Sequence, residues 1–234
     1  MLETLRDQVL EANFEIVRRG LVLYTFGNVS AIDRASGLVV IKPSGVPYET
    51  MKSEDMVITD LHGKIVEGNL RPSSDLDTHL LLYREFPSIG AVVHTHSEYA
   101  TAWAQAGRSI PAYGTTHADY FYGPVPVTEE LSASDISGDY VHNTGLAIVR
   151  RFRDLDPDGI PAVLVAGHAP FCWGKTAADA AHNAVVLEAV ARMAYYTTTL
   201  NAESKGVSQT LLDRHYFRKH GVNATYGQKQ DDSF

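Results

Sequence analysis

Cysteine is almost missing from these 234 residues, and the single Cys172 excludes an intrachain disulfide. Its setting, Phe171-Cys172-Trp173, is apolar, so this thiol reads as packed rather than reactive. No apolar run is long enough to cross a bilayer. No long basic run occurs either: 20 Lys and Arg stand against 28 Asp and Glu, a formal net charge of -8. That balance argues against nucleic acid or an anionic membrane as the main partner, and an anionic ligand would need a local pocket. Glu3, Arg6 and Asp7 place charge where a secretory signal would have its apolar segment, so a cytoplasmic location is the expectation. Internal repeats, low-complexity tracts and an obvious linker are absent as well. With 44% hydrophobic residues, what remains reads as one compact domain over 1–234 whose last dozen residues fray.

The chain alternates helical and strand-like patterns. Leu2, Leu5, Val9, Phe14, Ile16 and Val17 recur at helical spacing over 2–19 and stop at Gly20. Strand-like runs follow at 29–32, 37–42 and 56–59. Ser73 and Ser74 offer N-caps to a helix that Pro87 closes after Phe86. Further helices are expected over 98–106, from Ser134 or Asp135 through Arg151, from Thr176 to about Leu200, and over 208–220. Thr176 with Asp179 forms a capping-box pattern.

The most informative segment is Ala91-Val92-Val93-His94-Thr95-His96-Ser97. Alternate residues of a strand share a face, so His94 and His96 are expected to point the same way. Two imidazoles on one face suit zinc and its neighbours in the first transition row, and an open catalytic site commonly uses a third protein ligand. His168 supplies one, at the end of the strand-like run 162–167. His62, His79, His142, His182 and His220 belong to no comparable constellation and read as structural or solvent-facing. Three polar clusters, Gly27-Asn28-Val29-Ser30, Lys42-Pro43-Ser44-Gly45 and Pro72-Ser73-Ser74-Asp75, combine small residues with amide, hydroxyl or cationic donors. A helix opening after Ser73 would aim free N–H groups at an anion, and Lys42 adds a compact positive charge, so together they could hold a phosphate.

These clusters, with His94-Thr95-His96, the segment Gly114-Thr115-Thr116-His117-Ala118-Asp119-Tyr120-Phe121-Tyr122-Gly123, and Gly167-His168, resemble the class II aldolase family, in particular its ribulose-phosphate 4-epimerase branch. The resemblance runs from the first helix to Tyr226-Gly227-Gln228. It implies an α/β fold: a single-domain α/β/α sandwich around a mixed, largely antiparallel sheet, assembled as a homotetramer with active sites at subunit boundaries. It implies that His94, His96 and His168 hold a divalent metal, usually Zn2+ with Mn2+ or Co2+ as alternatives, and that Asp75 sits beside it. Asn28, Lys42, Ser44, Gly45, Ser73 and Ser74 match positions that hold the substrate phosphate. Asp119 and Tyr226, the latter contributed by a neighbouring subunit, match the proton-transfer groups.

Position 75 separates the branches. Sugar-phosphate aldolases of this family carry glutamate after the serine pair, and this chain has the shorter aspartate, which suits an epimerase. The implied reaction interconverts L-ribulose 5-phosphate and D-xylulose 5-phosphate. The C4 hydrogen is not next to the carbonyl and is not acidic, so the route is cleavage of C3–C4, rotation of the aldehyde and re-addition, with a Lewis-acidic metal assisting. A fuculose- or rhamnulose-phosphate aldolase is the nearest alternative, and a non-catalytic module like the adducin head a remote one. His215 and Arg218 remain outside the expected catalytic set.

Overall fold

A computed structural model describes residues 2–221 together with Ala224 and Thr225. Among the described residues the order is α1 (Glu3–Arg18), β1 (Asn28–Asp33), β2 (Leu38–Ile41), β3 (Val57–Thr59), β4 (Ile65–Glu67), α2 (Leu76–Glu85), β5 (Ala91–His94), α3 (Glu98–Gln105), α4 (Thr115–Ala118), α5 (Ala133–Ser137), α6 (Tyr140–Arg151), β6 (Ala162–Leu164), β7 (Pro170–Gly174), α7 (Ala177–Leu200) and α8 (Gln209–His220). The strands form one seven-stranded sheet in the order β4-β3-β2-β1-β5-β7-β6, and its ladders are antiparallel throughout. The one parallel pairing among the described residues is an isolated bridge, Val127 to Leu164.

Apart from the exposed edge strand β4, the sheet is largely buried. Helices α1 and α7 pack together against β1, β5 and β7. Asn13 of α1 is fully buried, and its side chain accepts from the Val29 N–H at 3.0 Å, which ties that helix to β1. Helices α2 and α6 pack against each other, Gly145 of α6 lying so close to Leu81 that a Cβ there would meet the leucine at 2.8 Å. Val39, Val40, Val92, Val93, Val163 and Phe171 fill the centre. No helix among the described residues is long and apolar enough to cross a membrane.

Helices α7 and α8 begin where the sequence signals them. Thr176 and Asp179 exchange backbone-to-side-chain hydrogen bonds at 3.1 Å each way at the start of α7, and Ser208 caps α8. Three expectations about element bounds require correction, and two strands are additional to those expected. The helix expected from Ser134 or Asp135 is two: Ser132 caps α5, Asp139 caps α6, and Gly138 turns the chain between them. Helix α2 starts at Leu76 with Asp75 as N-cap, so Ser73 and Ser74 occupy the preceding turn rather than capping it. The strand before His168 is shorter than 162–167, ending at Leu164. Strands β4 and β7 lack the alternating pattern that would announce them, β4 being an exposed edge and β7 a largely buried run that opens with Pro170.

Candidate active site

The phosphate-like loops and the histidines converge on one cleft of about 420 Å³ at the ends of β1, β2 and β5. Its wall carries Asn28, Lys42, Ser44, Gly45, Ser73, Ser74, Asp75, His94, His96 and His168, together with Thr25, Phe26, Gly27 and Pro43. A wider groove of about 770 Å³ runs between α1 and α7, but helix-surface residues such as Gln8, Glu15 and Ala178 line it and none of the three histidines does.

Antiparallel pairing brings the histidines together. Asn28 lies opposite His94 across the β1–β5 ladder, and His94 lies opposite Phe171 across β5–β7, so the turn between β6 and β7 delivers His168 to the end of β5. Gly167 makes that turn at a φ of 67°. Strand β5 ends at His94, which places His96 beyond the ladder; strand alternation therefore does not orient it, and the loop into α3 does. Glu188 of α7 anchors the first turn of α3, where that loop ends, its carboxylate accepting from Tyr99 and Ala100 N–H at 2.8 and 2.9 Å. Gly27 has a φ of 82°, and a Cβ on it would sit 3.0 Å from the His94 carbonyl oxygen, so glycine permits the close passage of β1 past the metal set.

One ring nitrogen from each of His94, His96 and His168 lies within 4.8 Å of the other two. His94 Nδ1 stands 2.9 Å from the Pro170 carbonyl, which can only accept, so this nitrogen carries the proton and Nε2 keeps its lone pair. That Nε2 faces His96 Nε2 at 3.2 Å. Phe171 stacks on the His94 ring at 4.2 Å and limits its rotation. Burial lowers the pKa of all three imidazoles, His168 to about 4, and keeps them in the neutral form that ligates metal. Converging neutral imidazoles with a fixed tautomer on His94 fit a divalent metal.

Asp75 lies on the same wall, outside the set of three. Its Oδ2 accepts from Asn28 Nδ2 at 2.7 Å. Burial pushes its pKa up, but His94, His79, the Asn28 hydrogen bond and His168 together hold it below the usual value. Lys42 is 2% exposed, its ammonium reaches only the Pro43 carbonyl among the described residues, at 3.2 Å, and it lies over the Tyr48 ring. Burial lowers its pKa to about 8. The cleft thus combines an under-neutralised cation with the serine residues 44, 73 and 74, a set suited to an oxyanion.

Asp119 is placed elsewhere. It ends α4, away from the lining of this cleft, and accepts from His215 Nδ1 at 3.0 Å and from Arg218 at 3.2 and 3.0 Å. Despite the opposing effect of burial, these bonds hold its carboxylate below the ordinary range. His220 also holds the Asp119 carbonyl at 2.9 Å. Sequence reasoning leaves His215 and Arg218 aside; their spacing of three on α8 is the available signal. Tyr226 lies outside the described residues. Thr25 and Phe26 carry no motif, and only their position just before Gly27-Asn28 connects them with the cleft.

Solved structures share this architecture. An L-fuculose 1-phosphate aldolase is 24% identical over 93% of this chain and 96% of its own, with a TM-score of 0.79. YgbL of Klebsiella pneumoniae, whose assignment is left open between aldolase, epimerase and decarboxylase, is 24% identical over 92% and 99%, with a TM-score of 0.72. The L-fuculose-1-phosphate aldolase of Thermus thermophilus is 22% identical over 87% and 98%, with a TM-score of 0.66. At such identities the likeness concerns the fold. The family model of the class II aldolase and adducin N-terminal domain, however, matches residues 7–195, and this chain belongs to that family.

Proposed function

We propose that this protein is a divalent-metal-dependent L-ribulose-5-phosphate 4-epimerase, with Zn2+ as its metal. One observation carries the reading: a three-histidine set and a cationic, hydroxyl-rich cradle share a cleft in which aspartate, not glutamate, follows the serine pair. When bound to His94, His96 and His168, the metal supplies Lewis acidity toward the ketose carbonyl and its neighbouring hydroxyl. Lys42, Ser44, Gly45, Ser73, Ser74 and Asn28 hold the phosphate, so the two-carbon aldehyde released by C3–C4 cleavage stays in place while it rotates. Asp75, short and held by Asn28, stays on the metal side rather than reaching toward the substrate carbon. Asp119 and Tyr226 move the C4 hydroxyl proton, one on each face of the aldehyde. Asp119 lies off its own chain's cleft but is pinned by His215 and Arg218, which supports its serving a neighbouring copy in a homotetramer with sites at subunit boundaries.

The fold likeness to L-fuculose 1-phosphate aldolases favours a second reading, aldol cleavage on the same scaffold. An intact metal and phosphate set gives no support to a purely scaffolding role of the adducin kind. Incubation of metal-loaded protein with L-ribulose 5-phosphate should yield D-xylulose 5-phosphate. Cleavage of L-fuculose 1-phosphate without epimerisation of the pentose would replace the epimerase reading with the aldolase one.

A further inference from the structure

Tyr48 belongs to none of the motifs that form the cleft. It follows Lys42-Pro43-Ser44-Gly45 in the loop between β2 and β3 and is 4% exposed. A buried phenol has to place its hydroxyl, and this one reaches two carbonyl oxygens, that of Gly27 at 2.9 Å and that of Phe26 at 3.3 Å. A carbonyl only accepts, so the phenol donates, chiefly to the nearer Gly27. Burial pushes the phenol pKa up, which keeps that proton in place.

The segment gripped in this way borders the metal set. The Phe26 and His96 rings lie 6.1 Å apart between centroids, Gly27 passes close to the His94 carbonyl, and Asn28, the next residue, holds Asp75. The anion side of the cleft meets the same tyrosine: Lys42 Nζ lies over its ring, 4.7 Å from the centroid. An ammonium has three donors. The Pro43 carbonyl takes one and the ring face receives the charge from one side, so a donor remains for an anion in the cleft that Lys42 lines. Lysine has a flexible four-carbon stem, and freezing it when an anion binds would cost affinity. Burial against a ring whose own hydroxyl is tied down removes that freedom beforehand.

We propose that Tyr48 is a positioning residue for Lys42: its ring holds the ammonium ready for the phosphate, and its hydroxyl, tied to Gly27, fixes that ring relative to the metal flank of the cleft. This rests on the reading of Lys42 as the phosphate cation but not on which sugar phosphate is turned over.

The test reads both ends of the contact in zinc-loaded protein. Protons held over an aromatic face resonate upfield, so the Lys42 ε-methylene signal, assigned by its loss in Lys42→Met, should lie upfield of that of free lysine in the wild type. Tyr48→Phe keeps the ring and cuts the tether, and should leave a smaller upfield shift; Tyr48→Leu should abolish it. Affinity for inorganic phosphate, by calorimetric titration, should fall in the same order, by roughly two- to thirtyfold in Tyr48→Leu, the range of a cation–ring contact. In a Lys42→Met background, Tyr48→Leu should have no further effect on phosphate. Zn2+ affinity, by chelator competition, should stay at the wild-type value, because His94 keeps its Pro170 and Phe171 partners in every variant. An unshifted lysine signal in the wild type, phosphate binding as tight in Tyr48→Leu as in Tyr48→Phe, a Tyr48 effect that persists without Lys42, or a matching loss of Zn2+ affinity would overturn the proposal. Equal phosphate binding by wild type and Lys42→Met would refute the phosphate reading itself and the anion role of Tyr48 with it, while the lysine signal would still decide whether the ring holds the ammonium.

Discussion

Lys42→Met should make the protein more stable while removing its hold on phosphate. The ammonium is buried without an anionic partner among the described residues, and its pKa falls from 10.5 to about 8. At 1.36 kcal/mol per unit, that displacement is a cost of about 3 kcal/mol to the folded protein at neutral pH. Methionine fills similar volume without charge. It gives up one hydrogen bond to Pro43 and the contact over Tyr48, together about 1–2 kcal/mol. The net expectation is a gain of about 1–2 kcal/mol, or about 2–8 °C in melting temperature for a chain of this size. The sign has a pH signature. Below pH 8 both folded and unfolded wild type bind the lysine proton and the cost is fully present. Between about pH 8 and 10.5 only the unfolded chain holds it, so wild-type stability rises relative to the variant and the gap closes. Melting curves of both proteins without phosphate at pH 7 and pH 10 measure this, and calorimetric titration of the phosphosugar measures the roughly ten- to a hundredfold loss of affinity that a deleted charged hydrogen bond brings. A variant less stable than wild type at pH 7, or one that binds phosphosugar equally well, would refute the reasoning.

Other outcomes follow from the same geometry. Because Lys42 loses its charge above about pH 8, kcat/KM for the phosphorylated sugar should decline through that region in the wild type, and a profile flat to pH 10 would count against a charged Lys42 in binding. His96→Asn should lower bound metal and activity together while far-UV circular dichroism stays unchanged, and full activity in verified metal-free protein would reject the metal assignment. Gly27→Val should cost more than about 1–2 kcal/mol, since it combines a φ of 82° with a Cβ at 3.0 Å from the His94 carbonyl, and should loosen metal binding as well; wild-type melting and metal content would show that the passage is not tight. Asp119→Asn should lose roughly 10²–10⁴-fold in epimerisation with metal content unchanged, and assay of both directions shows whether one face of the aldehyde suffers more.

Much of this architecture is legible in the sequence because it rests on local rules. The capping box at Thr176 and Asp179 and the Ser208 cap announce α7 and α8 within a few residues, independently of what they pack against. The cleft residues are legible through composition at turns: Lys42-Pro43-Ser44-Gly45 and Ser73-Ser74-Asp75 are too polar and too small to be core. What stays hidden depends on partners far along the chain. Strand β7 reads as a generic apolar run until it pairs with β5, and His96 reads as a strand residue until Ser97, Glu188 and α3 are seen to end the strand at His94. His79 stays in the background because a lone histidine on an apolar helix face carries no signal; only its contact with Ser30, 49 positions away, shows how the core holds it.

The cleft is assembled unevenly along the chain, and this bears on the order in which it can form during synthesis. Strands β1, β2 and β5, the start of α2 and every residue proposed for the phosphate cradle are made before His96, whereas His168 arrives only after α3 to α6 and β6 have been made. A nascent chain therefore carries all the residues proposed for the anion cradle and two of the imidazoles well before it carries the third. Strand β5, central in the finished sheet, has one open edge until β7 pairs with it. Secure metal capture and closure of that edge are thus the same late event, and a growing chain that met metal early would hold it by two histidines only, weakly enough to let it go.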